Sequence, residues 1–217
     1  MNNKIKMWLK NVWNVRRRFI VALVLFVAAM SIYVSAGDYV TDITNKTVSS
    51  SDIILDHFGP YHLGFIFVWL YISVISIYFL YPLIWKPKKM PYIISMFSFL
   101  LIVRSGLIIC THLRPPADAI PVVFPSIFQT INWSNDLFFS GHVAFAFLGF
   151  LVYMYDNKFV KWFMLSSSII LGVVSLAMHV HYTIDVLSAF FIVYGVFEFG
   201  DKFLRYLKVK NKYKVFK

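Results

Sequence analysis

Residues 159–199 read FVKWFMLSSSIILGVVSLAMHVHYTIDVLSAFFIVYGVFEF and contain two long apolar runs separated by a short polar segment. A helix that crosses about 30 Å of hydrocarbon needs about 20 apolar residues, because each adds about 1.5 Å. Each run is long enough for this, so we predict transmembrane helices at 159–178 and 182–199. Since only a few residues separate them, these two helices must form an antiparallel hairpin.

Four further apolar runs precede this hairpin. They predict spans at about 19–36, 61–84, 92–111 and 138–155. Hydrophobic residues make up 59% of the chain and the mean hydropathy is +0.70, well beyond ordinary soluble domains. The sequence therefore predicts an all-α polytopic membrane protein, with six transmembrane helices in a single domain over 1–217.

The basic residues indicate how this bundle is oriented. Lys and Arg favour the cytoplasmic side of short loops. If both termini are cytoplasmic, all but Lys46, Arg104 and Arg114 of the 21 basic residues lie in the terminal segments or in cytoplasmic loops. We therefore predict cytoplasmic termini and two long outer loops at 37–60 and 113–137. Several prolines in the second loop favour irregular structure there.

The charge of +11 also raises the possibility of nucleic-acid binding. A surface that follows phosphates needs its cations on one folded face, whereas here they form short clusters between apolar runs. We therefore expect no nucleic-acid partner. The single cysteine, Cys110, cannot form an internal disulfide. The first apolar run lacks a small-residue cleavage site, so we expect a retained helix and not a signal peptide.

Chemically active residues occur at three places that this topology brings to the outer surface. Ser140-Gly141-His142 begins the fourth predicted span, and His179-Val-His181-Tyr182-Thr-Ile-Asp185 forms the turn of the hairpin. Arg104 lies near the outer end of the third span, and Arg114 follows in the loop. Ionisable groups at membrane depth are costly. Their convergence at one surface therefore predicts a functional site.

His181 and Asp185 are four residues apart, so on a helix they would share a face. A hydrogen bond to the carboxylate would fix the imidazole tautomer and leave the other ring nitrogen as an oriented nucleophile or base. His142 would be a second proton-handling group.

Anion binding would come from other groups at the same surface. Arg104 or Arg114 could neutralise phosphate oxygens. Ser140, Gly141 and the amides that start the fourth helix would add an anion cradle.

Structural interpretations compete with these roles. His142 could be an interfacial histidine, and His181 with Asp185 could simply brace the hairpin. Arg104 could extend to the outer interface. Asp136 could cap the following helix or order the site. His179 could be a supporting or headgroup contact.

The stretches Asp136-Leu-Phe-Phe-Ser-Gly-His142 and His179-Val-His181-Tyr182-Thr-Ile-Asp185-Val resemble the phosphatidic acid phosphatase type 2 superfamily, most closely its sphingomyelin synthase branch. The resemblance implies that His181 attacks phosphorus to form a phosphohistidine, that Asp185 orients it, and that His142 protonates the leaving lipid oxygen. Substrate contacts would fall on Arg104, Arg114, Asp136, Ser140, Gly141, His179 and Tyr182.

Two elements of ordinary lipid phosphatases are incomplete here. Arg114-Pro115 is similar to the end of their Lys-x6-Arg-Pro element, but position 107 is Leu, and Ser175 stands where a second arginine would fall. The sphingomyelin synthase branch also lacks these elements and carries an arginine similar to Arg104. The short chain lacks the extra N-terminal domain of animal members, so we expect a bacterial relative.

The leading expectation is a lipid phosphotransferase that moves a phosphorylated headgroup between a phospholipid and a lipid alcohol, such as ceramide or diacylglycerol. The alternative is a lipid phosphate phosphatase with water as acceptor, and a less favoured one is an anion or proton-coupled transporter. Two or three histidines with an aspartate also match zinc ligand types, but the resemblance implies no metal or cofactor. We expect an inner-membrane protein whose site faces the extracytoplasmic side.

Overall fold

The computed structural model describes residues 3–44, 47–126 and 136–213. Six α-helices and no strands occur within these ranges, which confirms the all-α prediction. The helices are α1 (Asn3–Thr44), α2 (Gly64–Trp85), α3 (Met90–Cys110), α4 (Gly141–Tyr153), α5 (Lys158–Ala177) and α6 (Thr183–Tyr213). Short 3₁₀ turns lie at Leu55–His57 and Pro87–Lys89.

Five of the helices are long and apolar enough to cross a membrane, namely α1, α2, α3, α5 and α6. The prediction of six long spans differs from the structure at 138–155, where α4 has only 13 residues. Such a helix is about 20 Å long, which is less than the hydrocarbon thickness. It begins late because the carbonyl of Phe139 and the side chain of Asp136 are held by Arg104, outside the helix.

Two helices extend past their predicted ends. Helix α1 continues to Thr44, so the first outer loop begins later than position 37. Helix α6 continues to Tyr213 through a charged stretch, where Glu198–Lys202 and Asp201–Arg205 are ion pairs one turn apart. Such pairs support a helix after its apolar run has ended. Lys46 lies outside the described residues, and the orientation of the termini stays a prediction.

The short helix α4 packs mainly against α5 and α6, while α1 packs along α3 and α2 contacts α5. Helices α4 and α5 come very close at Gly149, where an added Cβ would lie 2.7 Å from Met164 Sδ. The turn between α5 and α6 spans only residues 178–182, as expected for a hairpin. This arrangement places the start of α4 beside the start of α6, and each carries one of the predicted catalytic histidines.

The loops before α2 and after α3 are both tied to this end of the hairpin by backbone hydrogen bonds. The amide of Tyr61 donates to Ala177 O at 2.7 Å, and that of Ile120 donates to Met178 O at 3.0 Å. The segments before α2 and after α3 therefore cover the end of the bundle at which the histidines lie.

Candidate active site

His181 lies next to Asp185, although the two do not share a helix as the spacing predicted. His181 is in the turn before α6, and its Nδ1 is 3.5 Å from Asp185 Oδ2. Asp185 lies in the first turn of α6 and accepts the Tyr182 amide at 3.0 Å, which folds the preceding turn back over it. His181 is 4% exposed and Asp185 is fully buried. The two side chains are therefore neighbours, although His181 Nδ1 makes no hydrogen bond with the described residues.

His142 is the second residue of α4, and its ring is surrounded by aromatic side chains. Its centroid lies 4.4 Å from that of Phe67, 4.5 Å from that of Tyr71 and 5.9 Å from that of Phe124. The ring of His181 is 6.0 Å away. Both ring nitrogens of His142 are buried and make no hydrogen bond with the described residues. The structure thus brings the two predicted histidines together.

The starts of α4 and α6 are joined directly through Ser140. Its amide donates to the carbonyl of Asp185 at 3.1 Å, and its own carbonyl accepts the Ala144 amide in the first turn of α4. The Ser140 side chain is buried, and its hydroxyl has no hydrogen-bond partner among the described residues. This bond fixes the α4 N-terminus, a site that favours anions, beside His181 and Asp185.

Arg104 is buried beside the start of α4, and its side chain does not extend to the membrane interface. It is 3% exposed, its Nη2 lies 2.8 Å from Asp136 Oδ2, and its Nη1 donates to Phe139 O. Asp136 also accepts the hydroxyl of Tyr33 on α1 at 2.7 Å. Asp136 is thus the partner of a buried cation and not the cap of α4, whose N-cap position is Ser140.

Gly141 is where Arg104 approaches α4 most closely. A Cβ there would lie 3.0 Å from Arg104 Nε and 3.1 Å from Nη2. Glycine therefore allows the guanidinium to approach the start of the helix. Arg104 Nε makes no hydrogen bond with the described residues. Nε is therefore an N–H that Arg104 can still donate.

The substitution Gly141→Ala is expected to displace the Arg104 guanidinium and to lower turnover by about tenfold, on the order of 1.4 kcal/mol in transition-state stabilisation. The matched control is Gly106→Ala in α3, where an added Cβ meets nothing within 4 Å. Alanine is favoured over glycine inside a helix, so the control should keep its activity and gain slightly in thermal stability. Lipid turnover and thermal unfolding of both variants measure this. Equal activity of the two variants would show that the close approach of Arg104 to Gly141 is irrelevant to the reaction.

Arg114 lies elsewhere, although we expected the same potential role for it as for Arg104. It is exposed, and its Nη1 donates to Thr47 O at 3.4 Å. Its carbonyl accepts the Tyr182 hydroxyl at 2.8 Å, and that hydroxyl in turn accepts the Ser50 amide. Of the two arginines, the structure brings Arg104 to the histidines. The Tyr182 hydroxyl is occupied in joining the two outer loops.

His179 faces a separate polar cavity of about 650 Å³ beside the hairpin turn. Its backbone has φ 56°, its Nδ1 lies 2.9 Å from Asp118 Oδ1, and the ring of Phe58 packs edge-on against it. The hydrogen bond with His179 holds the pKa of the Asp118 carboxyl below its usual value. His179 thus lines the cavity beside the hairpin turn together with Asp118, a carboxylate that was not predicted from the sequence.

Asp52 is a second carboxylate that the sequence did not single out. It accepts both the amide and the hydroxyl of Thr183, the first residue of α6, at 2.7 Å each. Burial raises the pKa of Asp52, but hydrogen bonds, led by those from Thr183, outweigh it and hold the pKa below its usual value. An anion at this helix end is favourable. The loop before α2 therefore helps to hold the turn that carries His181.

No group of three or more His, Cys, Asp or Glu side chains in the described ranges is arranged to hold a metal ion.

Residues 134–202 match the family model described as PAP2 superfamily C-terminal. This segment is less than half of the chain, but it includes His142, His181 and Asp185 and spans α4, α5 and most of α6. No curated protein and no solved structure matches the chain. The match supports a relationship to the PAP2 superfamily over the part of the chain in which the histidines lie.

Proposed function

We propose that this chain is a membrane lipid phosphotransferase that moves a phosphorylated headgroup from a phospholipid to a lipid alcohol. The observation that carries the proposal is the cluster of His142, His181 and Asp185 at one end of an apolar helix bundle, with Arg104 beside it. The family match supports a reaction on lipid phosphates, either hydrolysis or transfer. We place the site on the extracytoplasmic side, where it reaches phospholipids of the outer leaflet.

The first step is attack on the donor phospholipid. Asp185 Oδ2 lies 3.5 Å from Nδ1 of His181, near enough to accept a hydrogen bond from it during the reaction, which leaves Nε2 with the lone pair that attacks phosphorus. An N–P bond forms while the P–O bond to the donor lipid alcohol breaks. His142 gives its proton to the departing oxygen. Arg104 Nε and the amides at the start of α4 stabilise the phosphoryl oxygens as negative charge develops there.

The second step returns His181 to its starting form. The acceptor hydroxyl gives its proton to His142, its oxygen attacks phosphorus, and the N–P bond breaks. The proton that His142 lost in the first step is thereby restored. The phosphorylated headgroup has moved from one lipid alcohol to another without any further reactant.

The surroundings of His142 and those of His179 favour different acceptors. Phe67, Tyr71 and Phe124 enclose His142 in an apolar wall, which favours a lipid alcohol over water. The cavity beside His179 is lined by serines and carboxylates and favours access of water. A lipid phosphate phosphatase is therefore the second candidate, since the same phosphohistidine would then be hydrolysed.

Product analysis separates the two. Purified full-length protein is given a defined phosphatidylcholine or phosphatidylethanolamine donor in mixed micelles, with and without ceramide or diacylglycerol as acceptor. Transfer predicts a new phospholipid that appears only with acceptor, and donor cleavage that stops after one turnover without it. Continuous release of a phosphorylated headgroup, or of inorganic phosphate from a monoester, in the absence of acceptor would overturn the transferase and support the phosphatase.

A further inference from the structure

A second cavity, of about 960 Å³, opens at the end of the bundle opposite the histidines. Arg18 on α1 is one of its lining residues. It lies about 22 Å along the helix from Tyr33, and Tyr33 donates a hydrogen bond to Asp136 at the candidate active site. The cavity is lined by residues of α1, α3 and α6, and by the last residues of α4 with the turn after it. It lies where the short helix α4 ends, and it shares no lining residue with the cavity beside His179.

The lining of this cavity has two chemically different parts. One is an apolar wall, formed among others by Val21, Val152 and Phe197. The other is a set of cationic side chains that includes Arg17, Arg18, Lys88, Lys89 and Arg205. A ligand that fills both parts must be amphipathic, with an anionic end.

The carboxylates that also line the cavity are already neutralised by cations. Asp156 is held by Lys86 and Lys89 at 2.8 and 2.5 Å, Asp201 by Arg205 at 2.6 Å, and Glu198 by Lys202 at 3.3 Å. Burial raises the pKa of Asp156, but its two lysine partners outweigh this and hold the pKa below its usual value. These three carboxylates are therefore committed to their own cationic partners.

The three remaining cations of the lining have no such partner. Arg17, Arg18 and Lys88 make no hydrogen bond or ion pair with the other described residues. Arg16, next to them on α1, differs because its guanidinium lies 4.0 Å above the ring of Trp13, outside the cavity lining. Arg17, Arg18 and Lys88 are thus uncommitted cations that line the cavity.

We propose that this cavity binds an anionic membrane lipid, with its phosphate between Arg17, Arg18 and Lys88 and an acyl chain along the apolar wall. Two guanidinium groups supply paired donors that match phosphate oxygens, and Lys88 adds a point charge. Basic pockets between membrane helices bind lipid headgroups in this way. The site is separate from the candidate active site and does not depend on the reaction proposed there.

Native mass spectrometry of the purified full-length chain in detergent tests this proposal. Phosphatidylglycerol and phosphatidylcholine with identical acyl chains are added in turn, and the retained fraction is titrated. We expect preferential retention of phosphatidylglycerol, and a loss of affinity of about tenfold or more in the triple variant Arg17→Gln, Arg18→Gln, Lys88→Gln. The matched control is Arg16→Gln, Lys158→Gln, Lys161→Gln, which removes equal charge outside the cavity lining and should stay within about twofold of wild type.

Two further arms keep the result unambiguous. Glu198→Gln removes a lining carboxylate and should raise the affinity for phosphatidylglycerol, a gain that misfolding would not produce. Glycerol phosphate, which has the anion without acyl chains, should bind far more weakly than the lipid. Equal losses in the two triple variants, no preference for the anionic lipid, no gain in Glu198→Gln, or binding of glycerol phosphate as tight as that of the lipid would each overturn the proposal.

Discussion

Replacing His181 with asparagine is expected to lower turnover of the donor lipid by about 10⁴-fold or more, because the proposed nucleophile is lost. Asparagine is polar and smaller than histidine, so it can occupy the buried position next to Asp185 without introducing a charge. The fold should therefore survive. Donor cleavage by purified protein, with thermal unfolding as a check on folding, measures the effect.

The same variant tests for the covalent intermediate directly. With a donor labelled in its headgroup and no acceptor, the wild-type chain should retain label after denaturation at alkaline pH, and His181→Asn should retain none. The matched control is His62→Asn, because His62 is exposed and lies outside the cluster. It should behave like wild type. Substantial turnover in folded His181→Asn would rule out His181 as the nucleophile.

The sequence could predict the parts of the site that depend on short separations. His181 and Asp185 are four residues apart, so any compact turn or helix brings them close, and they are neighbours although His181 precedes α6 and its Nδ1 makes no hydrogen bond with the described residues. The short turn between α5 and α6 was predictable because only a few residues separate the two apolar runs. The meeting of His142 with His181 followed from placing both at one surface.

The sequence could not predict partners that come from distant segments without a periodic pattern. Tyr33 is one of 13 tyrosines, and nothing in its neighbourhood indicates a bond to Asp136, more than 100 residues away. Asp52 and Asp118 lie in irregular loops, where the chain path is not determined by apolar periodicity. Their contacts with Thr183 and His179 appear only when the loops are placed against the hairpin.

The fourth span was predicted to begin at residue 138, but α4 begins at Gly141 because of contacts with Arg104. The stretch from 138 onward is apolar and reads as helix, yet Phe139 and Asp136 contribute a carbonyl and a carboxylate to the buried guanidinium. Satisfying a buried cation outweighs the few helical hydrogen bonds that an earlier start would add. These contacts also place Arg104, and not Arg114, beside the start of α4. Charge and spacing alone could not distinguish the two arginines.

Replacing His142 with alanine is expected to slow donor cleavage by about 10²-fold to 10⁴-fold, the usual contribution of a general acid. The loss should depend on the leaving group. A lipid alkoxide needs a proton to depart, whereas a nitrophenolate departs without one. A donor with the same headgroup on nitrophenol should therefore lose less than about tenfold, and release of nitrophenolate in a single turnover isolates this first step from the acceptor step.

The packing of His142 requires a second variant, because its ring contacts Phe67 and Tyr71 and alanine would leave a gap there. His142→Phe keeps an aromatic ring in that space but cannot carry a proton. If His142 is the general acid, both variants should show the same contrast between lipid and nitrophenyl donors. If both donors are slowed equally in both variants, or if phenylalanine restores cleavage of the lipid, then His142 acts by packing or by binding the substrate, and the departing oxygen takes its proton from another group.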